Sequence, residues 1–240
     1  MTTMPDTAMI LAAGLGTRMR PLTDDTAKPL LKVAGKPLID RQVEPLIEAG
    51  VKRLVVNTHW CAGQVEAHVK GYGGVEVVFS DEREEVLETG GALAKAAPLL
   101  GEGPVFVVNT DAFWAPSGAS PLRQLADAYD PARMDELLLL ADTGRCLGFG
   151  GPGDFFRAED GTLTHRGDAA SAPWAYAGLR IANPALYADH SPEPFSAFRI
   201  WSGLLSSGRM HGLPLDRFWL HVGDPQALKD AEMWMWCFGA

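Results

Sequence analysis

The chain has 240 residues, of which 47% are hydrophobic and 21% are charged, and its formal net charge at pH 7 is −9. This length and balance exclude an intrinsically disordered chain and suit one large domain with a buried core. The negative balance argues against nucleic acid as the main partner, because binding along a phosphate backbone needs a basic surface. A single nucleotide is still allowed, since one small anion needs only a local group of cations.

Cysteine usage and hydropathy indicate the compartment. The three cysteines are far apart and form no CxxC pair (Cys61, Cys146, Cys237), which favours free thiols in a reducing environment over disulfides. No apolar run reaches the roughly 18 residues that a membrane-spanning helix needs. The apolar run at 8–15 has no Lys or Arg before it and leads into glycines and Arg18, unlike a signal peptide. We therefore expect a soluble, cytoplasmic protein without a membrane segment.

Strand-like and helix-like segments alternate from the start of the chain. Residues 8–13 form a short apolar run typical of a strand buried on both faces. Residues 38–49 have helical spacing and stop at Gly50, while Pro45 predicts a kink or a broken turn. The next predicted elements, in chain order, are strand 53–58, helix 63–70, strand 75–80, helix 91–100, strand 104–110, helix 121–129 and strand 136–141. Strands separated by helices of this length predict an α/β fold with a mostly parallel sheet in three layers.

The rhythm changes after Gly144, where glycines and prolines become frequent. A hairpin is predicted between strands 155–157 and 162–165. The remaining predicted elements are strand 174–181, helix 200–207, strands 209–213 and 218–222, and a closing helix over 225–238. No repeat or low-complexity linker separates the two parts. We therefore predict a single domain over 1–240, with a first half (1–143) and a second, β-rich half (144–240).

The loop after the first strand is the first candidate site. In an open α/β sheet, ligands bind beyond the carboxyl ends of the strands, and the stretch GLGTR at 14–18 lies there. Glycines let backbone N–H groups approach an anion closely, and Arg18, Arg20 and Lys28 add positive charge. A plain strand-to-turn loop with incidental arginines is the alternative. Two common phosphate loops do not match, since GxxxxGK(S/T) needs a Lys missing here and GxGxxG needs a glycine where Met19 stands.

A longer pattern does match. The chain reads LAAGLGTRMRPLT, then KPLL and GKPLI, then AGVKRLVVNTHW, LETGGAL, VVNTD and finally HVGDPQAL. This series resembles the sugar-1-phosphate nucleotidylyltransferases in the same order along the whole chain. The resemblance implies a three-layer α/β/α, Rossmann-like nucleotidyltransferase fold, with a mostly parallel mixed sheet and a small β-rich sugar-binding part. It also implies that 1–143 is the nucleotide-binding half and 144–240 the sugar-binding half.

The resemblance further implies an activity. A sugar-1-phosphate oxygen attacks the α-phosphorus of a nucleoside triphosphate, and pyrophosphate leaves; such transfer needs mainly alignment and charge neutralisation. LETGGAL and the short chain look most similar to the N-acetylmuramate-1-phosphate uridylyltransferases of peptidoglycan recycling, which favours UTP. Mannose-1-phosphate guanylyltransferase is the alternative within the family. The implied cofactor is Mg²⁺, with Mn²⁺ as the alternative, and the expected assembly is a monomer or homodimer.

Three charged residues receive roles from the resemblance. Arg18 matches the family arginine that engages the β- and γ-phosphates and the departing pyrophosphate. Lys28 matches the lysine that neutralises charge at the α-phosphate, although Ala27 stands where the family usually has Pro. Asp111 matches the Mg²⁺ ligand, and it follows a buried strand where a carboxylate would face the cleft. The plainer alternatives are a solvated arginine at 18 and a turn-forming aspartate at 111.

The binding residues follow from the same motifs. The candidate nucleotide-binding residues are Ala13, Gly14, Gly16, Thr17, Arg18, Lys28, Thr89, Gly90 and Asn109. The candidate sugar-binding residues are Asn109, Gly148 and Gly178. We expect the stretch ETGG at 88–91 to be a loop before a helix whose backbone reads the base; an N-cap at Thr89 is the alternative. The glycines at 148 and 178 are equally compatible with turns.

The closing motif departs from the family. Family members commonly read W-x-D-(I/V)-G-T-P with the Asp as a second metal ligand, whereas this chain has His221 in that position and Asp224 before Pro225. An Asp before a first-turn proline is typical of a helix N-cap, so we favour capping over metal binding for Asp224. His221 is a candidate metal ligand, although Mg²⁺ prefers oxygen. The departure also leaves open a catalytically weakened, regulatory protein that binds nucleotide sugars.

Overall fold

A nine-stranded sheet forms the centre of the computed structural model, which describes residues 4–238. The strands of the fold are β1 (Thr7–Leu11), β2 (Lys32–Val33), β3 (Lys36–Pro37), β4 (Arg53–Thr58), β5 (Glu76–Asp81), β6 (Val105–Asn109), β7 (Ala112–Trp114), β8 (Glu136–Asp142), β9 (Cys146–Leu147), β10 (Phe155–Arg157), β11 (Leu163–His165), β12 (Trp174–Ala182), β13 (Met210–Pro214) and β14 (Trp219–His221). The helices are α1 (Asp40–Ala49), α2 (Ala62–Val69), α3 (Glu88–Leu100), α4 (Pro121–Ala128), α5 (Ala185–Ala188), α6 (Phe198–Ser206) and α7 (Pro225–Phe238).

The main sheet is mixed and mostly parallel, as predicted. Its order is β13, β8, β12, β6, β1, β4 and β5, with the β10–β11 hairpin attached to the beginning of β12. Strand β1 is parallel to both β4 and β6, and β8 is parallel to β13. Strand β12 runs antiparallel between β6 and β8, and it is bulged between Tyr176 and Arg180. Strands from both parts of the chain therefore share one sheet.

Alternating residues of the strands build a core on each face of the sheet. Ile10 belongs to one buried cluster, which includes residues of α1, α2 and α4. Its neighbour Met9 belongs to the other cluster, which includes residues of α3, α5 and α6. Successive side chains of a strand point to opposite faces, so a strand covered on both faces must be apolar throughout. The three-layer α/β/α arrangement predicted from the apolar strands is confirmed.

Most predicted elements are present, with three corrections. The first strand ends at Leu11 and not at 13, because the Ala12 N–H donates to the side chain of Asn57 instead of to a backbone carbonyl of a neighbouring strand. Helix α1 is continuous across Pro45, so the expected broken turn is absent from this described segment. Helix α3 begins at Glu88, three positions before the predicted start at 91, so the expected loop at 88–91 is the first turn of a helix.

A small three-stranded sheet beside the main one was not predicted as a unit. In it β14 lies between β7 and β9, antiparallel to β7 and parallel to β9. The backbone N–H of Val222 donates to the Asp111 carbonyl at 2.7 Å. The last strand of the chain is thereby attached to the segment that follows β6.

Two observations bear on the predictions of free thiols and of no membrane-spanning segment. The three cysteines are free thiols in the described chain. Among the helices of residues 4–238, none has the length and apolar character needed to cross a membrane.

Candidate active site

A cleft of about 410 Å³ opens beyond the carboxyl ends of β1, β4 and β6. Most of the predicted site residues line it: Ala13, Gly14, Gly16, Thr17, Arg18, Lys28, Thr89, Asn109 and Asp111. Glu88 of the ETGG stretch also lines it, and the lining residues that the sequence analysis did not select include Asn57, Glu82 and Val86. Ligands of open α/β sheets bind at this edge, so the motifs meet where the topology expects a ligand.

The glycine loop presents bare backbone to the cleft. Gly16 has a φ of 63°, a left-handed conformation that glycine adopts without a steric penalty. Its carbonyl accepts hydrogen bonds from the Met19 N–H and the Thr23 hydroxyl, both at 2.8 Å, which starts a 3₁₀ turn over Thr17–Met19. A Cβ added at Gly14 would have no neighbour within 4 Å. Hydrogen bonds to the Gly16 carbonyl therefore hold the loop in place, while the space beside Gly14 stays open to an anion.

An ion pair lies at one end of the cleft. Lys28 Nζ is 2.9 Å from Asp111 Oδ2, and both side chains are mostly shielded from solvent. Burial alone would raise the pKa of Asp111, but the charges of Lys28, His221 and Arg18 outweigh it and hold the pKa below its usual range. Arg18 is exposed and donates no hydrogen bond within the described residues. This end thus joins a carboxylate to cations that retain donors for a ligand.

His221 lies beside this ion pair. Its Nε2 is 3.9 Å from Asp111 Oδ2, and its Nδ1 is 3.2 Å from the Gly148 carbonyl. A carbonyl accepts only, so the Nδ1–H donates to Gly148, and Nε2 is the ring nitrogen that faces Asp111. Gly148 has a φ of 75°, and a Cβ there would lie 2.0 Å from the His221 carbonyl. Gly148 is not among the residues that line the cleft, and its lack of a side chain allows the His221 strand to approach.

Asp224 caps the last helix. Its Oδ1 accepts a hydrogen bond from the Ala227 N–H at 2.9 Å, and Pro225 is the first residue of α7. This is the geometry of an N-cap residue followed by a first-turn proline. The capping interpretation of Asp224 agrees with these contacts.

The first turn of α3 is held by a distant segment. The N–H groups of Gly90 and Gly91 donate to the Phe195 carbonyl at 2.8 and 3.2 Å, and Thr89 Oγ1 accepts from the Ala197 N–H at 2.9 Å. The alternative of an N-cap at Thr89 is therefore wrong, since Thr89 lies inside the first turn and its hydroxyl serves another segment. A Cβ at Gly90 would lie 2.3 Å from the Phe195 ring. Gly90 thus permits close packing, while Thr89 reaches the cleft surface.

Gly178 supports Asn109 from behind. It lies in the bulged part of β12 with a φ of 85°, and a Cβ there would come within 3.3 Å of Asn109 Cβ. The Oδ1 atom of Asn109 is buried and accepts no hydrogen bond within the described residues. A buried acceptor without a partner is costly, so Asn109 has an acceptor available to a ligand or cation.

Sequence reasoning missed two cleft residues, Asn57 and Glu82. Asn57 is near the end of β4, as Asn109 is at the end of β6, and Glu82 directly follows β5. A polar residue at the carboxyl end of a buried strand was a usable signal, because these ends share one edge of the sheet. Both side chains lie almost fully buried at the base of the cleft.

The residues present fit a divalent cation only in part. Within residues 4–238, no three His, Cys, Asp or Glu side chains come together as a ready-made metal site. The Asp111 carboxylate and the unpartnered Asn109 Oδ1 are hard oxygen donors, and His221 offers one nitrogen. Mg²⁺ is commonly bound by one or two carboxylates together with substrate phosphates. The donor set therefore suits a cation that arrives with a triphosphate.

The fold and cleft define a class of protein, the α/β nucleotide-binding enzymes with a glycine loop. The fold is that of solved nucleotidyltransferases: the inositol-1-phosphate CTP transferase from T. maritima superposes with a TM-score of 0.77, over 97% of this chain and 96% of that one, at 17% identity. The chain belongs to the nucleotidyl transferase family, whose model matches residues 7–150. The resemblance noted in the sequence is thereby confirmed.

Two curated relatives match almost end to end. The chain is 45% identical to N-acetylmuramate alpha-1-phosphate uridylyltransferase of Caulobacter vibrioides, over 97% of this chain and 98% of the relative. It is 33% identical to the protein of the same name from Neisseria meningitidis serogroup B, over 94% and 96%.

Proposed function

We propose that this protein transfers a uridylyl group from UTP to N-acetylmuramate 1-phosphate, yielding the UDP-sugar and pyrophosphate. The observation that carries the reaction type is the Lys28–Asp111 pair beside an open glycine loop in one cleft. The choice of substrates rests on the two uridylyltransferase relatives that match the chain over nearly its full length.

The glycine-loop backbone and the two cations of the cleft have different roles in the transfer. The backbone of Gly14 and Gly16 and the guanidinium of Arg18 bind the β- and γ-phosphates and stabilise the departing pyrophosphate. Lys28 neutralises the charge that the α-phosphate and the sugar phosphate bring together. No covalent intermediate is needed, because alignment and charge neutralisation supply most of the catalysis in such transfers.

A divalent cation completes the site, with Mg²⁺ favoured and Mn²⁺ as the alternative. Asp111 would hold it, with the Asn109 oxygen and His221 as further donors, and the cation would neutralise triphosphate charge. The Nδ1–H bond from His221 to the Gly148 carbonyl supports this role, because metal-binding histidines usually donate their other ring N–H to a neighbour.

Each half of the chain binds one of the two substrates. We assign 1–143 to the nucleotide and 144–240 to the sugar, with Asn109 and Thr89 at the boundary of the two sites. Gly148 and Gly178 contribute to the sugar side by allowing His221 and Asn109 to take their positions, rather than by direct contact.

A matrix of UTP, GTP and CTP against N-acetylmuramate 1-phosphate, mannose 1-phosphate and glucose 1-phosphate tests the proposal. Pyrophosphate release should be fastest, by kcat/KM, for UTP with N-acetylmuramate 1-phosphate. Faster turnover of GTP with mannose 1-phosphate would establish the guanylyl alternative. Nucleotide-sugar binding without pyrophosphate release from any pair would establish the regulatory alternative.

A further inference from the structure

Glu82 joins three segments through one buried carboxylate. Its side chain is 1% exposed and Asn57 is 3% exposed, at the base of the cleft. Glu82 Oε1 accepts from Asn57 Nδ2 at 2.8 Å, and Glu82 Oε2 accepts from the Leu87 N–H at 3.1 Å. Asn57 Oδ1 in turn accepts from the Ala12 N–H at 2.7 Å. The chain of bonds runs from Ala12 through Asn57 and Glu82 to Leu87.

The two ends of this chain are the two walls of the cleft. Ala12 directly precedes Ala13 and Gly14 of the glycine loop, and Leu87 directly precedes Glu88 and the first turn of α3. Neither end lies within a strand of the sheet, although Ala12 directly follows β1 and hydrogen bonds to Phe195 also hold the first turn of α3. The Asn57–Glu82 connection adds a buried side-chain link that runs directly from one wall to the other.

The pattern of donors leaves little freedom at position 82. The two backbone N–H groups can only donate, so Asn57 must turn its oxygen to Ala12 and its amide nitrogen to Glu82. Glu82 then faces a donor on each oxygen, which a carboxylate satisfies and a carboxamide does not. Glutamine at 82 would place its own NH₂ group against a donor and leave buried groups unpaired, which is costly.

We propose that Glu82 is a positioning residue for nucleotide binding, acting through Asn57 and Leu87 on the spacing between the glycine loop and the first turn of α3. The inference rests on the proposed function in treating this cleft as the triphosphate site. It predicts that disturbing the network weakens binding of UTP and leaves binding of the sugar phosphate nearly unchanged. It also predicts that the identity of the residues matters less than the pattern of donors and acceptors.

A reciprocal exchange tests that pattern. Glu82→Gln alone places two hydrogen-bond donors against each other, and Asn57→Asp alone places two carboxylate oxygens against each other. In the double variant, the new carboxylate at position 57 would accept from the Ala12 N–H and from the new amide nitrogen at position 82. The carboxamide oxygen at position 82 would accept from the Leu87 N–H, so every bond is rebuilt with the donor and acceptor roles of the two side chains reversed.

We expect each single variant to raise KM for UTP about tenfold, as the cost of unpaired buried groups suggests. KM for the sugar phosphate should change by less than about twofold, and the double variant should return to within about threefold of wild type for UTP. Glu85→Gln is the matched control, because Glu85 is an exposed carboxylate in the same loop and should change neither KM. Melting temperatures of all proteins are measured in parallel.

Calorimetric titration with UTP separates this inference from the proposed function. A wild-type protein that binds UTP without turnover would refute the proposed function, and the affinities of wild type, the two single variants and the double variant would still decide the role of Glu82. An unrescued double variant would refute the inference, as would single variants that lower only the melting temperature. Equal increases in KM for both substrates would also refute it, and a wild type that binds no nucleoside triphosphate would refute both.

Discussion

The two ends of the cleft are stabilised by different interactions. At the cationic end (Arg18, Lys28 and Asp111), charged side chains are partly open to solvent, and only the Lys28–Asp111 pair is formed between them. At the network end (Asn57, Glu82 and Leu87), buried groups are satisfied by hydrogen bonds to one another. Open charge can respond to a ligand, whereas a saturated network holds the walls in place.

This difference distinguishes a residue that can bind a ligand directly from a residue that positions other groups. A charged group with unused donors interacts with substrate directly, so its removal should act on the chemical step and on charge. A buried group whose hydrogen bonds are complete acts through the backbone that it holds, so its removal should act on geometry and be repairable by a matching partner.

Substitution of Asp111 should have the largest effect on activity at the cationic end. Asp111→Asn keeps the shape of the side chain but removes its charge, so Lys28 loses its ion-pair partner and, under the proposed function, a divalent cation loses a hard ligand. We expect kcat to fall by about 10³-fold, without rescue by excess Mg²⁺. Pyrophosphate release over a range of Mg²⁺ concentrations measures this. Near-normal Mg²⁺ dependence in the variant would assign the cation to another residue.

The next largest effect should come from the exposed arginine of the glycine loop. Under the proposed function, Arg18→Ala removes a charge-assisted phosphate contact, and we expect kcat/KM for UTP to fall by about 10²-fold. Arg20→Ala is the matched control, because Arg20 is exposed and its side chain pairs, among residues 4–238, only with Asp24 at the surface, at 3.5 Å. Wild-type kinetics in Arg18→Ala would show that the loop binds the triphosphate through its backbone alone, and an equal loss in Arg20→Ala would show a general effect of positive charge.

A smaller effect is expected at His221, which replaces the usual aspartate. His221→Asp adds an oxygen donor on the side of the ring where the imidazole nitrogen now lies 3.9 Å from the Asp111 carboxylate. Mg²⁺-supported turnover should be kept or raised, and the ratio of Mn²⁺- to Mg²⁺-supported kcat should fall by about threefold, since oxygen favours the harder ion. An unchanged ratio would place His221 outside the cation's ligands.

The smallest effect on activity is expected at Asp224, which lies near the cationic end but caps a helix. Asp224→Ala should lower the free energy of unfolding by about 1 kcal/mol, and Asp224→Ser by only a few tenths, because serine also caps. Turnover should stay within about twofold of wild type in both. Loss of metal-dependent turnover in Asp224→Ser, measured beside its denaturant unfolding curve, would show that the carboxylate binds the cation.

The fold was predictable where local pattern determines it. Apolar segments such as the one containing Met9 and Ile10 form strands covered on both faces, and that arrangement can be derived from the local sequence. The place of β12 could not be derived in this way. Strand β12 lies antiparallel between β6 and β8, and this position depends on packing between segments that are distant in the chain. The local periodicity of a strand does not indicate which distant strand it pairs with.

The same limit applies to the cleft. Arg18, Lys28 and Asp111 were selected from the sequence because charge in a known motif is visible there, and all three line the cleft. The helical state of the segment at 88–91 was missed because its N–H groups are satisfied by Phe195, far later in the chain. The position of Glu82 directly after β5 was visible in the sequence, but its role was missed because its partners come from separate segments.

The attachment of Val222 to Asp111 has a consequence for synthesis. A ribosome releases the chain from its amino end, so Arg18, Lys28 and Asp111 emerge well before β14, the strand attached to the Asp111 segment. The nascent chain thus carries these charged groups before the strand that holds the Asp111 segment has been made. Under the proposed function, ribosome-bound chains stalled before residue 219 should release no pyrophosphate.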